Sequence, residues 1–203
     1  MFPFDVILFD VGKVLLTNGW DYSHRTAVAD RFHLDIAVLE PLHLKYFDAW
    51  ERGASTVKAY LDGVVFHEPR DFSHDEVFAF MLTRSVPIPD GAMGILHELA
   101  AADKCMLGAL NNEARELNDY RFDHYGLREV FQVAFSSCYV GLRKPEPAIY
   151  RRTLDILGRP PERVLFIDDR EQSIAGAQAA GMKTIQFTGA DALRHELEAL
   201  QVL

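Results

Sequence analysis

Six polar residues in this 203-residue chain are of types that could do chemistry together: Asp10, Asn111, Asn112, Lys144, Asp168 and Asp169. Three carboxylates drawn into one place repel, and their pKa values rise unless a cation neutralises them. Oxygen ligands without histidine suit a hard ion, and Mg²⁺ typically uses one or two carboxylates together with water and substrate phosphate. A lysine supplies a point charge suited to a phosphate group, and asparagine amides can donate to phosphate oxygens. Carboxylates, a hard metal, a lysine and amide donors together specify phosphoryl transfer more closely than any one of them alone. An aspartate after a strand is also a common turn residue for purely local reasons, so the set counts only if the fold assembles it.

The elements that must assemble it are visible in the hydrophobic pattern. Apolar runs at 6–9, 106–110, 130–135, 164–167 and 183–187 read as buried strands. Asp10 follows the first run, Asn111 and Asn112 the second, Lys144 comes after the third, and Asp168 and Asp169 follow the fourth. Helical patterns separate most of these runs: GAMGILHELAAAD from Gly91, PAIYRRTLDILG from Pro147 to Gly158, and REQSIAGAQAAGM from Arg170 to Gly181. Strands alternating with helices predict an α/β fold, a Rossmann-like three-layer core around a five-stranded parallel sheet. In such a sheet ligands bind beyond the carboxyl ends of the strands, which is where all six polar residues fall.

Residues 17–89 break the alternation. HRTAVADRF, IAVLEPLHLKYFDAW, TVKAYLDGVVF and HDEVFAFML carry apolar residues at three- and four-residue spacings, with Ser73 and Glu76 as a capping box before the last. Pro41 is expected at a break or in a first helical turn, and Pro87 and Pro89 on a stiff return path. The expected organisation is a core of residues 1–16 and 90–203 carrying a small helical cap of residues 17–89.

A net charge of −9 argues against nucleic acid as a partner. Apolar residues at 49% and charged residues at 25% are ordinary globular composition, and no uninterrupted apolar stretch approaches a membrane span. Two cysteines without a CxxC pair fit a reducing compartment, so a cytoplasmic location is expected.

FDVGKVLL, LNNEAR, GLRKPEPAIY and FIDDREQSIAGAQAAGM resemble, in order, the four motifs of the haloacid dehalogenase superfamily, and the helical insertion sits where that superfamily carries its first cap module. Glycine after Asp-x, with Arg115 four residues past Asn111, is similar to a bacterial branch that includes sugar-1-phosphate phosphatases. The resemblance implies a Mg²⁺-dependent phosphatase acting on a small phosphorylated metabolite. It makes Asp10 the nucleophile of an aspartyl-phosphate intermediate and sets Asn111 against the transferring phosphoryl group. Lys144 neutralises charge in that scheme, and Asn112 and Arg115 are further candidates for substrate contact. Asp10, Asp168, Asp169 and the Gly12 carbonyl are the implied metal ligands.

Two positions depart from the family pattern. Gly12 stands where most of its phosphatases have a second aspartate as general acid and base, and Asn111 replaces the usual Ser or Thr. Lys13 and His24 are the nearest groups able to carry a proton, but Lys13 is expected at the surface in an ion pair and His24 on the exposed face of the first cap helix. Trp20, Tyr22, Phe47 and Trp50 could line a cleft, although their spacing suits the core of the cap. The alternatives are a 2-haloacid dehalogenase, whose relatives have Ser and Asn at the places of Asp168 and Asp169, and a weakly active or non-catalytic module that lost the aspartate at Gly12.

Overall fold

The computed structural model describes residues 2–203. Five parallel strands, β1 (Val6–Phe9), β2 (Met106–Ala109), β3 (Val133–Ala134), β4 (Val164–Asp168) and β5 (Lys183–Gln186), lie in the order β3-β2-β1-β4-β5. The most apolar run takes the centre: all four β1 residues are buried, with Phe9 in register with Ala109 on one side and Ile167 on the other. Ile7 and Phe9 face one apolar layer and Val6 and Leu8 the other, as strand alternation requires. Chain order reverses beside β1, so its carboxyl end opens at the switch point where a ligand crevice forms.

Four helices make up the insert after β1: α1 (Tyr22–Arg31), α2 (Ile36–Glu51), α3 (Val57–Val64) and α4 (His74–Leu82). Each begins at a side-chain cap, supplied by Asp21, Asp35, Thr56 and Ser73 in turn, and Ser73 with Glu76 completes the expected capping box. Their apolar faces close on Trp50 and Tyr60, whose rings stack 4.4 Å apart, and Ala114 and Leu117 join this cluster from below. The chain enters and leaves the insert side by side, with the Thr17 N–H bonded to the Val86 carbonyl at 2.8 Å.

The remaining helices are α5 (Met93–Ala102), α6 (Arg115–His124), α7 (Leu127–Val130), α8 (Ser137–Val140), α9 (Pro147–Leu157), α10 (Glu171–Ala179) and α11 (Ala190–Ala199). No helix among the described residues is long and apolar enough to cross a membrane.

Three expectations need correcting. The third strand is only Val133–Ala134, because Gly126, at φ 64°, starts a helical turn over Leu127–Val130. The Gln132 side-chain carbonyl then accepts the Leu107 N–H at 2.7 Å, doing the work of a ladder bond. Pro41 does not break α2, which runs through it. A proline there removes the one bond to the Ala37 carbonyl, and the Asp35 cap and burial of Leu39, His43 and Trp50 hold the helix on both sides of it. His24 is buried rather than exposed, its Nδ1 3.4 Å from the Gly19 carbonyl.

Candidate active site

Asp10 leaves the central strand as a buried carboxylate, its Oδ1 accepting the Val11 N–H at 2.8 Å. Asp168 is the last residue of β4, fully buried, with Oδ1 taking the Arg170 N–H at 2.7 Å. Between the two sits Lys144, its Nζ 3.0 Å from Asp10 Oδ1 and 2.5 Å from Asp168 Oδ2. Asp169 completes the group, and carboxylate oxygens of Asp10, Asp168 and Asp169 all lie within 4.8 Å of one another.

One ammonium faces three carboxylates, and the protonation equilibria register the imbalance. Burial, with Asp168 adding to it, pushes the Asp10 carboxyl up to about 7 against the pull of Lys144. Burial and Asp168 likewise raise Asp169. Burial alone would depress Lys144, but Asp10 and Asp168 outweigh it and hold the ammonium above its ordinary value. A cluster of oxygen donors with residual negative charge and no nitrogen or sulfur ligand fits a small hard divalent cation. Gly12 lines the same cleft beside Asp10.

The two asparagines divide their labour differently from expectation. Asn111 is buried, and both ends of its amide are taken: Nδ2 donates to Asn118 at 2.9 Å, and Oδ1 accepts the Ser136 hydroxyl at 2.8 Å. Asn112 lines the cleft and holds Lys144 by its backbone, accepting its N–H and donating to its carbonyl, each at 2.8 Å. Arg115 is exposed and not part of the cleft wall; its guanidinium donates to the Cys138 carbonyl and lies over the Tyr139 ring.

Above the carboxylates is a cleft of about 230 Å³. Trp20, Tyr22, Arg25, His43, Phe47 and Glu51 wall it on the side of the insert. The aromatic alternatives thus split, since Trp20, Tyr22 and Phe47 reach the cleft while Trp50 stays in the core of the insert, bonded to Glu116. Arg143 bonds Asp48 at 2.7 Å and pairs with Glu51, both on α2, while its neighbour Lys144 reaches Asp10 and Asp168. Lys13 is exposed and, like His24, does not line the cleft. Sequence spacing gave no signal for Glu51 or His43, which read as polar residues of an amphipathic helix.

The seat of the missing aspartate is filled. A Cβ on Gly12 would lie 2.7 Å from Asn18 Oδ1. Glycine here makes room for the Asn18 amide, which does not ionise near neutral pH and so cannot serve as acid or base.

The haloacid dehalogenase-like hydrolase family matches residues 4–181, and the chain belongs to it. The sesquiterpene phosphatase astK of Aspergillus oryzae is 26% identical, over 97% of this chain and 96% of its own. Other curated relatives are longer, and the chain spans 35% of one and 13% of two more. Among solved structures, a family enzyme of Bacteroides thetaiotaomicron in complex with magnesium and inorganic phosphate aligns with a TM-score of 0.74 at 21% identity, over 95% of this chain and 98% of that one. The L-2-haloacid dehalogenase of Xanthobacter autotrophicus aligns at 0.61 with 20% identity, over 97% and 83%.

Proposed function

We propose that this chain is a Mg²⁺-dependent phosphatase that hydrolyses a small phosphorylated metabolite through an aspartyl-phosphate. The observation that carries the reading is the cluster of Asp10, Lys144, Asp168 and Asp169 at the floor of one cleft. Asp10 is the nucleophile. Lys144 binds both Asp10 and Asp168 and offers its charge to the incoming phosphoryl group, and Asn112 keeps that ammonium in place through the Lys144 backbone. Asn111 braces the end of β2 through Asn118 and Ser136. Asp10, Asp168, Asp169 and the Gly12 carbonyl would hold Mg²⁺, which when bound neutralises charge on the phosphoryl oxygens. Helices α1–α4 act as the cap over this floor, and their Arg25, His43 and Glu51 suit a polar leaving group.

The phosphatase relative and the structural neighbour holding magnesium and phosphate support this reading over dehalogenation. So does the Asp168–Asp169 pair, which a metal-free halide displacement does not need. The test is phosphate release from a panel of metabolite phosphates with Mg²⁺ and after chelation, with haloacids on the same plate. Release that stops on chelation is the expected result; halide release that persists without metal overturns it.

Metal binding should also register as stability. A ligand bound only by the native state adds RT ln(1 + [L]/Kd), so millimolar Mg²⁺ should raise the melting temperature of the native chain and much less that of Asp169→Asn. Equal shifts in the two remove Asp169 from the metal site.

A further inference from the structure

We propose that Glu51 is the proton donor and acceptor that takes over from the carboxylate absent at position 12, an assignment that rests on the phosphatase reading. Asp10 attacks phosphorus in line, so the leaving oxygen departs on the side of phosphorus away from Asp10. Whatever protonates it must therefore face Asp10 from across the cleft. On the side of the insert, α2 lines the cleft with His43, Phe47 and Glu51 at four-residue spacing along one face.

Asp21, Glu113 and His43 also line the cleft, and their contacts exclude them. Asp21 caps α1, accepting the His24 N–H and the Ser23 hydroxyl; burial raises its pKa, but these bonds prevail and keep it a carboxylate. Glu113 is committed to Arg121 at 2.5 Å and to the Ala114 N–H. His43 has no proton to give at neutral pH. Burial first, then Arg25, push it down to about 4 against Glu40, and its Nδ1 meets the Tyr60 hydroxyl at 2.8 Å. That hydroxyl already accepts the Trp20 indole N–H at 2.7 Å, so its own proton points at His43.

Glu51 differs from all three. Among the described residues its carboxyl meets only the Arg143 guanidinium, and no backbone N–H or hydroxyl donates to it. Burial, with Glu113 and Asp48 adding to it, pushes it up to about 7 against Arg143 and Arg170. Near neutrality it is present in both forms, as a group that must first give a proton and then take one requires.

The two steps balance. Asp10 Oδ forms a bond to phosphorus as the ester P–O bond breaks, and the Glu51 proton passes to the departing oxygen to release a neutral alcohol. Glu51, now a carboxylate, takes a proton from water entering on the same side; the hydroxide attacks phosphorus, the Asp10–phosphorus bond breaks, and inorganic phosphate leaves.

The test compares an alkyl phosphate with an activated aryl phosphate, whose phenolate departs unprotonated, in the native protein and in Glu51→Gln. In a single turnover, release of the alcohol from the alkyl ester should slow about 10²-fold more than release of the phenol from the aryl ester, because only this first step differs between them. Native single-turnover release of the alkyl alcohol should decline as pH rises through about 7, where Glu51 loses its proton, and Glu51→Gln should lack that limb. A carboxyl ¹³C titration of the metal-free protein should contain a resonance near 7 that Glu51→Gln lacks. Equal losses on the two esters, no loss, or a pH limb that survives the substitution each overturn the assignment. A native protein that releases phosphate from neither ester instead fails the phosphatase reading itself. Should Glu51→Gln melt well below the native chain, Arg143→Gln becomes the readout: removing the opposing cation should move the limb to higher pH, and an unmoved limb overturns the assignment.

Discussion

Asp10→Asn should leave a folded protein whose turnover has dropped by on the order of 10⁴-fold or more, the scale seen when a covalent nucleophile is removed. A carboxamide has nearly the shape of a carboxylate but cannot open the ester by attack on phosphorus. The fold should tolerate the change. The amide oxygen can still accept the Val11 N–H, and Lys144 keeps Asp168, its nearer partner at 2.5 Å. Removing one of three crowded carboxylates also relieves repulsion that burial makes costly. Thermal melting should therefore change little while phosphate release disappears, and acid-stable labelling by substrate phosphate should vanish with it. Appreciable activity in a folded Asp10→Asn ends the covalent mechanism.

The largest stability loss is expected at Arg121→Met. Arg121 is buried, holding Glu113 at 2.5 Å through Nη1 and the Thr17 carbonyl through Nη2. Glu113 is equally buried and packs against Gly19, where a Cβ would fall 1.7 Å from its Oε2. Taking away the guanidinium leaves a carboxylate without a partner, which costs about 3–5 kcal/mol in comparable buried pairs. Glu113→Gln on the same background removes the charge and should recover part of the deficit, which urea unfolding of the single and double variants will measure. Burial already raises Glu113 in the native chain, and without Arg121 its folded pKa climbs further above the unfolded value. The deficit of Arg121→Met should accordingly shrink as pH falls toward the unfolded carboxyl range and grow as pH rises. A deficit under about 1 kcal/mol would mean that water reaches Glu113.

Asp10, Asp168, Asp169 and Lys144 were legible because each stands just past or shortly after a run of apolar residues, and parallel strands bring such positions to one edge. The sheet was legible for the same reason, except at β3, where an edge strand with one neighbour leaves little periodic signal. Helix α6 was missed because its buried face includes Asn118 and Arg121, which a hydrophobic pattern scores as solvent-facing. Asn111 misled in a related way. Its position marks the end of β2, but a buried amide must satisfy both its ends, and Asn118 and Ser136 do so away from the cleft. Asn18 and Glu51 carried no signal, since their importance depends on which face of the insert turns toward the sheet.

Arg143 and Lys144 share one peptide, and this ties two parts of the molecule together. The first holds α2 through Asp48 and Glu51, while the second holds the floor of the cleft through Asp10 and Asp168. Any swing of α2 away from the sheet must either release Arg143 or drag the Lys144 backbone with it, and Asn112 clamps that backbone at both N–H and carbonyl. The guanidinium, 27% exposed where the ammonium is 4%, is the weaker anchor, so it yields first. The arrangement is a latch with a fuse: the Arg143 contacts can open without unseating the ammonium beneath them, and dissolved salt screens the latch more than it screens the buried floor.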